Sequence, residues 1–172
     1  MSDYTPPFSI SNKMLGFVSS ISEKIGKISN YNDFESKPQL RKNNRIKSIY
    51  SSLAIEANSL SVRDVINGHI VLGPQREIQE VKNAYDAYDN LNNINPYSVT
   101  ELKKYHGIMT YALVNESGKF RNGEEGVFDG DKCIFMAPPA HFVPSLIDDL
   151  FKWMNSEKNN VHPLILSSVF HY

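Results

Sequence analysis

Glu56 is the acidic residue with the most unusual surroundings in this sequence. It lies in the segment SIYSSLAIEANSL (48–60), and it is the only acid between positions 41 and 63, where five residues are basic: Arg41, Lys42, Arg45, Lys47 and Arg63. The segment is predicted to end a helix, where the helix dipole disfavours a negative charge by roughly 0.3–1 kcal/mol. Two interpretations are open: a solvated surface acid, or a carboxylate that pairs with a cationic group elsewhere.

Apolar residues recur at three- and four-residue steps through most of the chain, which is typical of amphipathic helices. The helix that leads to Glu56 is predicted to start at Ser36, Pro38 and Gln39, and its apolar stripe is Ile46, Ile49, Tyr50 and Leu53. Further helices are predicted on both sides of it: from Ile10 to Ile28, from Ser61 to Gly68, from Ile78 to Leu91, from Ser98 to Leu113, from Phe142 to Met154, and from His162 onwards.

The interval from Asn115 to Pro139 differs from the rest, because it is rich in glycine and contains short β-favouring pieces. Asp129-Gly130 lies between two such pieces, Val127-Phe128 and Cys133-Ile134-Phe135, and this arrangement indicates a β-hairpin. An isolated hairpin is marginal in water, so we expect it to pack on the helices. Its outer edge exposes unpaired backbone groups that another chain can use, although a surface hairpin without function explains the pattern as well.

Two further predictions concern burial. His106 falls on the apolar side of its helix, which favours a packed, hydrogen-bonded core residue. The last segment, LILSSVFHY (164–172), is apolar around most of its circumference, which predicts a buried central helix. His162 precedes Pro163 at the start of that helix, a position that favours capping over chemistry.

Composition excludes several classes of protein. An apolar fraction of 41% and an aromatic fraction of 11% are typical of a globular chain. The net charge of −1 gives no reason to expect binding to nucleic acid or to an anionic membrane. Cys133 is the only cysteine, no apolar run approaches a membrane span, and no signal peptide opens the chain. We therefore expect a cytoplasmic domain. No metal-binding, phosphate-loop or dinucleotide motif is present.

The order of these segments resembles the Fic (filamentation induced by cAMP) family of protein adenylyltransferases, over roughly residues 40–172. Ser52-Leu-Ala-Ile-Glu56 resembles the inhibitory-helix motif Ser/Thr-x-x-x-Glu-Gly/Asn, with Ala57 in place of the Gly or Asn and Asn58 one position later. The segment from Glu77 to Tyr85 resembles the helix that follows, and Gly118-Lys-Phe-Arg121 resembles the approach to the family's flap.

The resemblance implies a mainly α fold: a Fic-like helical bundle with one β-hairpin flap, incomplete at its C-terminus. One structural domain is expected, with an N-terminal helical segment at 1–36, an inhibitory helix at 37–60, and the first part of the Fic core at 61–172, including the flap at about 125–137. The implied inhibitory residues are Ser52, Glu56 and Asn58. The implied target-binding flap residues are Val127, Phe128, Cys133, Ile134 and Phe135.

The catalytic loop of the family, H-P-F-x-x-G-N-G-R, is absent from the sequence. Its only His-Pro pair, His162-Pro163, continues into an apolar helix, so no catalytic residue is assigned. The resemblance implies that the complete enzyme uses ATP and Mg²⁺ to transfer AMP to a protein hydroxyl, with the loop histidine as general base. The resemblance also implies that Glu56 pairs with the last arginine of the extended catalytic motif, so that this arginine cannot receive the γ-phosphate. We expect the chain to be truncated, to transfer no AMP by itself and to bind no cofactor tightly alone.

Two other functions remain open at this stage. The chain can be a catalytically inactive, antitoxin-like module that inhibits a separate Fic partner through Glu56, or a generic helical interaction domain. The expected partners are a target protein bound by the flap and a second copy or a Fic partner, with neither nucleic acid nor membrane.

Overall fold

The computed structural model describes residues 4–29, 38–68 and 73–171. Across these residues the fold is mainly α, with seven α-helices and one antiparallel hairpin, as the sequence predicts. The bounds are α1 Asn12–Ser29, α2 Pro38–Ile55, α3 Val62–Ile66, α4 Gln75–Asp89, α5 Val99–Met109, β1 Gly126–Asp129, β2 Lys132–Met136, α6 Val143–Glu157 and α7 Pro163–His171, with short 3₁₀ turns at Leu91–Asn93 and Ala140–Phe142.

The chain divides into two compact units. One, called here the Glu56 unit, comprises Lys37–Asn122 and contains α2 to α5. The other, called the hairpin unit, combines Met1–Ser36 with Gly123–Tyr172 and contains α1, β1, β2, α6 and α7. Among the residues with a sequence-based prediction, Ser36 and Tyr172 lie outside the described part of the chain.

In the Glu56 unit, α2, α3 and α5 each pack against α4. The core forms where the apolar stripe of α2 contacts α3 and α4, and Ile49 and Val81 are completely buried in it. Tyr50 is the exception to the predicted stripe, because its side chain is 52% exposed. Burial of these aliphatic side chains, at ~1.5–3 kcal/mol for each one fully buried, is what holds α2 on α4.

The helix starts follow the capping residues in the sequence. The hydroxyl of Ser61 accepts a hydrogen bond from the Asp64 amide (3.4 Å) and caps α3, and Ser98 does the same for the Glu101 amide (3.4 Å) at α5. Gly68 follows α3 with a φ of +73°, which glycine adopts without a Cβ penalty. These local signals set the bounds of the two helices.

His106 is exposed on α5, which corrects the prediction of a core histidine. Its Nδ1 atom instead accepts a hydrogen bond from the Gly118 amide at 3.0 Å. The Gly118 backbone passes so close to α5 that a Cβ on Gly107 would lie 3.3 Å from the Gly118 Cα atom. His106 therefore fastens the turn at Gly118 to the outside of the helix.

In the hairpin unit, aromatic and aliphatic side chains of α6 and α7 make the core. Trp153 packs edge-on against Phe8 (5.6 Å between ring centroids), and Phe151 packs edge-on against Phe170 (5.5 Å). The prediction that α7 is buried around its circumference is wrong, because only Ile165 and Leu166 of its described residues are buried. The apolar residues of a helix indicate which of its faces can be buried, but they do not determine which other element covers those faces.

The hairpin forms where the sequence predicts it. Asp129 pairs with Lys132, so that Gly130 and Asp131 make a two-residue loop, and only Gly130 has a positive φ (+56°). A positive φ at the first loop residue is the pattern of a type II′ turn. Every residue of both strands is exposed, and none of the described helices of this unit packs on either strand. The expectation that the hairpin packs on helices is not met within its unit.

None of the described helices combines the length and the apolar character that crossing a lipid bilayer requires.

Candidate functional site

The end of α2 has the geometry of a Schellman motif, and this geometry places Glu56. The amide of Asn58 donates to the carbonyl oxygen of Leu53 (3.0 Å), and the amide of Ala57 donates to that of Ala54 (3.2 Å). Ala57 has a φ of +63°, the left-handed conformation that this motif requires one residue after the helix cap. Glu56 is therefore the C-cap residue, held by main-chain hydrogen bonds on both sides.

The Glu56 side chain is exposed. Within the part of the chain that the structure describes, its carboxylate makes no ion pair and no hydrogen bond. The last turn of α2 also has no basic residue to offset the negative end of the helix dipole. Both interpretations of the sequence, a solvated acid and an acid with a partner outside this segment, agree with this geometry.

Two of the basic residues near Glu56 in the sequence have partners elsewhere. Arg45 forms an ion pair with Asp89 on α4, and Arg63 donates a hydrogen bond to the side chain of Asn43 at 3.4 Å. Neither arginine neutralises Glu56, so the excess of basic residues in the sequence does not supply its counter-ion.

Ser52 lies one helical turn before Glu56 and is also exposed. Its hydroxyl is 3.3 Å from the hydroxyl of Tyr88 on α4, and either group can be the donor. Ser52 and Glu56 are thus brought together on consecutive turns of α2, with Ser52 against α4 and Glu56 at the free end.

Asn58, the third predicted inhibitory residue, is buried and 5% exposed. Its Nδ2 atom donates to the carbonyl oxygen of Glu77 and to Oε2 of Glu80, both at 3.0 Å, and its Oδ1 atom accepts from the Leu60 amide at 3.1 Å. Glu77 and Glu80 take part in this arrangement although the sequence did not identify them. The only signal was that both are acids at the start of the helix that follows.

The five predicted flap residues lie together on the hairpin and all are exposed: Val127, Phe128, Cys133, Ile134 and Phe135. Val127 pairs with Phe135 and Phe128 pairs with Cys133, so that Ile134 is an extra residue in a β-bulge. The bulge increases the local twist of the strands. The hairpin presents exposed apolar side chains and an open backbone edge.

Two of the described histidines make local contacts. His162 caps α7, because its Nδ1 atom accepts from the Leu164 amide at 3.2 Å, as the sequence predicts. His141 contacts the ring of Phe142, with 4.1 Å between ring centroids. Over residues 4–29, 38–68 and 73–171, no three His, Cys, Asp or Glu side chains are grouped to hold a metal ion.

A helical protein that carries an exposed hairpin and a helix ending in a free carboxylate has the parts expected of a Fic protein. The chain is similar to the crystal structure of a Fic family protein from Desulfovibrio desulfuricans G20, with a TM-score of 0.88 and 41% sequence identity over 98% of the chain. On this similarity, the chain belongs to the Fic family.

The chain spans about half the length of that neighbour, because the match covers 52% of the neighbour's residues. No protein-family model matches the chain, and neither does any curated protein.

Proposed function

We propose that the chain is the regulatory N-terminal portion of a Fic protein adenylyltransferase, and that Glu56 restrains AMP transfer. The observation that carries this proposal is the state of Glu56: an exposed carboxylate without a partner in the described residues, on a backbone held by the Schellman motif. A carboxylate held in this way is ready to accept two parallel hydrogen bonds from an arginine.

The arginine would come from the catalytic loop of the complete enzyme. In that enzyme the loop histidine would take the proton of a target hydroxyl, whose oxygen attacks the α-phosphorus of ATP. The bond between the α- and β-phosphates then breaks, pyrophosphate leaves, and AMP remains on the target. Pairing with Glu56 would prevent the arginine from holding the γ-phosphate. In this proposal the part of this chain is restraint through Glu56 and target alignment through the hairpin.

The hairpin would supply the alignment. Its strands are exposed along their length, and a protein segment can join an open strand edge through main-chain hydrogen bonds. The exposed side chains of Val127 and Phe135 lie side by side and would contact the added segment.

The same free carboxylate favours a second candidate function. The chain would then be an antitoxin-like module, and Glu56 would reach the arginine of a separate Fic protein. In the first candidate function the arginine belongs to the same protein as Glu56, and in the second it belongs to a separate protein. Both functions assign the same roles to the residues of this chain.

The first test is Glu56→Gly in the complete gene product, incubated with α-labelled ATP. We expect labelling of protein, including self-labelling, to rise at least about tenfold, because a hydrogen-bonded pair of charged groups contributes about 1.5–3 kcal/mol. Asp86→Asn is the matched control, since it removes an exposed acid on α4 and should leave labelling unchanged.

Unchanged labelling in Glu56→Gly would contradict the proposal. If labelling requires a separate Fic protein, and if this chain captures that protein while Glu56→Ala does not, the antitoxin-like function is the correct one.

A further inference from the structure

Asn58 is the only residue between Ala54 and Ser59 whose side chain is buried. Its amide group makes three hydrogen bonds: the two N–H hydrogens have acceptors at Glu77 and Glu80, and the carbonyl oxygen accepts from the Leu60 amide. A buried amide that makes three hydrogen bonds fixes the position of the backbone that carries it. The chain is therefore immobilised two residues after Glu56.

The anchor for Asn58 is the start of α4. Glu80 is itself held by an ion pair with Arg76 (3.1 Å), and its side chain is 22% exposed. Glu77 accepts a second hydrogen bond, from the Ser59 amide to Oε2 at 3.3 Å. Two carboxylates at the start of α4 thus hold the segment 58–60 through charged acceptors, which make stronger hydrogen bonds than neutral ones.

The Glu56 carboxylate makes no ion pair or hydrogen bond in the described residues, so its direction depends on the backbone that carries it. On the N-terminal side it is held by α2, and on the C-terminal side by Asn58. If the Asn58 contacts are lost, the last turn of α2 is free to fray, as helix ends do when their caps are removed.

We propose that Asn58, bound to the first two turns of α4, is a positioning residue that holds Glu56 where it blocks AMP transfer. This inference rests on the proposed function of Glu56. It implies that the hydrogen bond between Asn58 and Glu80 regulates activity. Any change that breaks this hydrogen bond would increase AMP transfer even though Glu56 itself is unchanged.

The test is a double-mutant cycle on AMP transfer by the complete gene product. Asn58→Ala should raise labelling by roughly tenfold, the factor that corresponds to losing one hydrogen bond to a charged group. In the Glu56→Gly background the same substitution should add nothing, because there is no carboxylate left to position. Asn44→Ala, an exposed amide on α2, is the control and should have no effect in either background.

The cycle separates this inference from the proposed function. If Glu56→Gly raises labelling and Asn58→Ala does not, or if the two effects multiply, Asn58 does not act through Glu56 and the inference is overturned. If Glu56→Gly raises nothing, the proposed function itself fails.

A second variant keeps the test decisive if Asn58→Ala does not fold. Glu80→Gln keeps an oxygen acceptor for Asn58 but removes its charge, so the fold is perturbed less. Glu80→Gln should increase protein labelling when Glu56 is present, and it should not increase labelling further in the Glu56→Gly variant. If Glu80→Gln gives the same amount of labelled protein as the unsubstituted enzyme, the inference is overturned.

Discussion

Ala57 occupies a backbone conformation that a residue with a Cβ adopts at a cost. Its φ of +63° lies in the left-handed region, which disfavours L-residues by roughly 1–2 kcal/mol and costs glycine nothing. We expect Ala57→Gly to raise the free energy of unfolding by up to about 1 kcal/mol, since part of the gain is offset by the greater freedom of glycine in the unfolded chain. Urea unfolding followed by circular dichroism measures this difference.

Ala54→Gly is the control for that substitution, because Ala54 is exposed on the same helix and has no positive φ. There the change should lower the free energy of unfolding by roughly 0.5–1 kcal/mol. The two substitutions are chemically identical and their expected signs are opposite. A loss of stability in both variants would contradict the left-handed conformation of Ala57.

At the residue scale, the sequence allowed prediction where the signal was local. Ser52 and Glu56 were singled out because Ser52-Leu-Ala-Ile-Glu56 resembles the inhibitory motif, in which three residues separate the two positions. The resemblance also named Asn58, but its hydrogen bonds could not be predicted, because the acceptors on Glu77 and Glu80 lie about 20 residues further along the chain. Only tertiary packing brings these groups together, and no periodicity encodes that contact.

In the hairpin, a close backbone contact requires glycine at position 126. A Cβ on Gly126 would lie 2.9 Å from the carbonyl oxygen of Phe135, and backbone cannot move aside as the end of a side chain can. We therefore expect Gly126→Ala to distort the start of β1 and to loosen its pairing with Met136. Hydrogen exchange of the hairpin amides should become faster, while exchange in α2 and α4 should not change.

Gly123→Ala is the matched control for the hairpin, since no atom lies within 4 Å of the Cβ position there. It should leave hydrogen exchange in the hairpin as it is. Slow exchange in Gly126→Ala would show that the strands accommodate a side chain at this position, contrary to the contact described.

Elements were easier to predict than their burial. The caps at Ser61 and Ser98 and the Asp129-Gly130 signal placed two helix starts and the hairpin correctly, because each acts through its nearest neighbours in the chain. The bulge at Ile134 had no sequence signal. The predicted burial of α7 was wrong, and the predicted packing of the hairpin on helices was not met within its unit, because an apolar face does not determine which surface covers it.

For the molecule as a whole, the largest unexplained feature is the apolar stripe of α1. Four side chains at three- and four-residue steps, Phe17, Ile21, Ile25 and Ile28, are each between 40% and 57% exposed, and no residue of α1 is buried. Soluble monomers rarely expose such a contiguous apolar surface. We therefore expect the chain of 172 residues to associate with itself as its concentration rises.

Ile21→Glu tests this expectation, because it places a charge in the middle of the stripe, where burial of an unpaired carboxylate is unfavourable. Light scattering coupled to size exclusion should give a mass that rises with concentration for the unsubstituted chain, and the mass of one chain for Ile21→Glu. Ser19→Glu adds the same charge on the opposite side of α1 and should associate like the unsubstituted chain. If the unsubstituted chain, Ile21→Glu and Ser19→Glu all keep the mass of one chain at every concentration, the expectation is wrong. The apolar stripe of α1 is then exposed to water in a monomer.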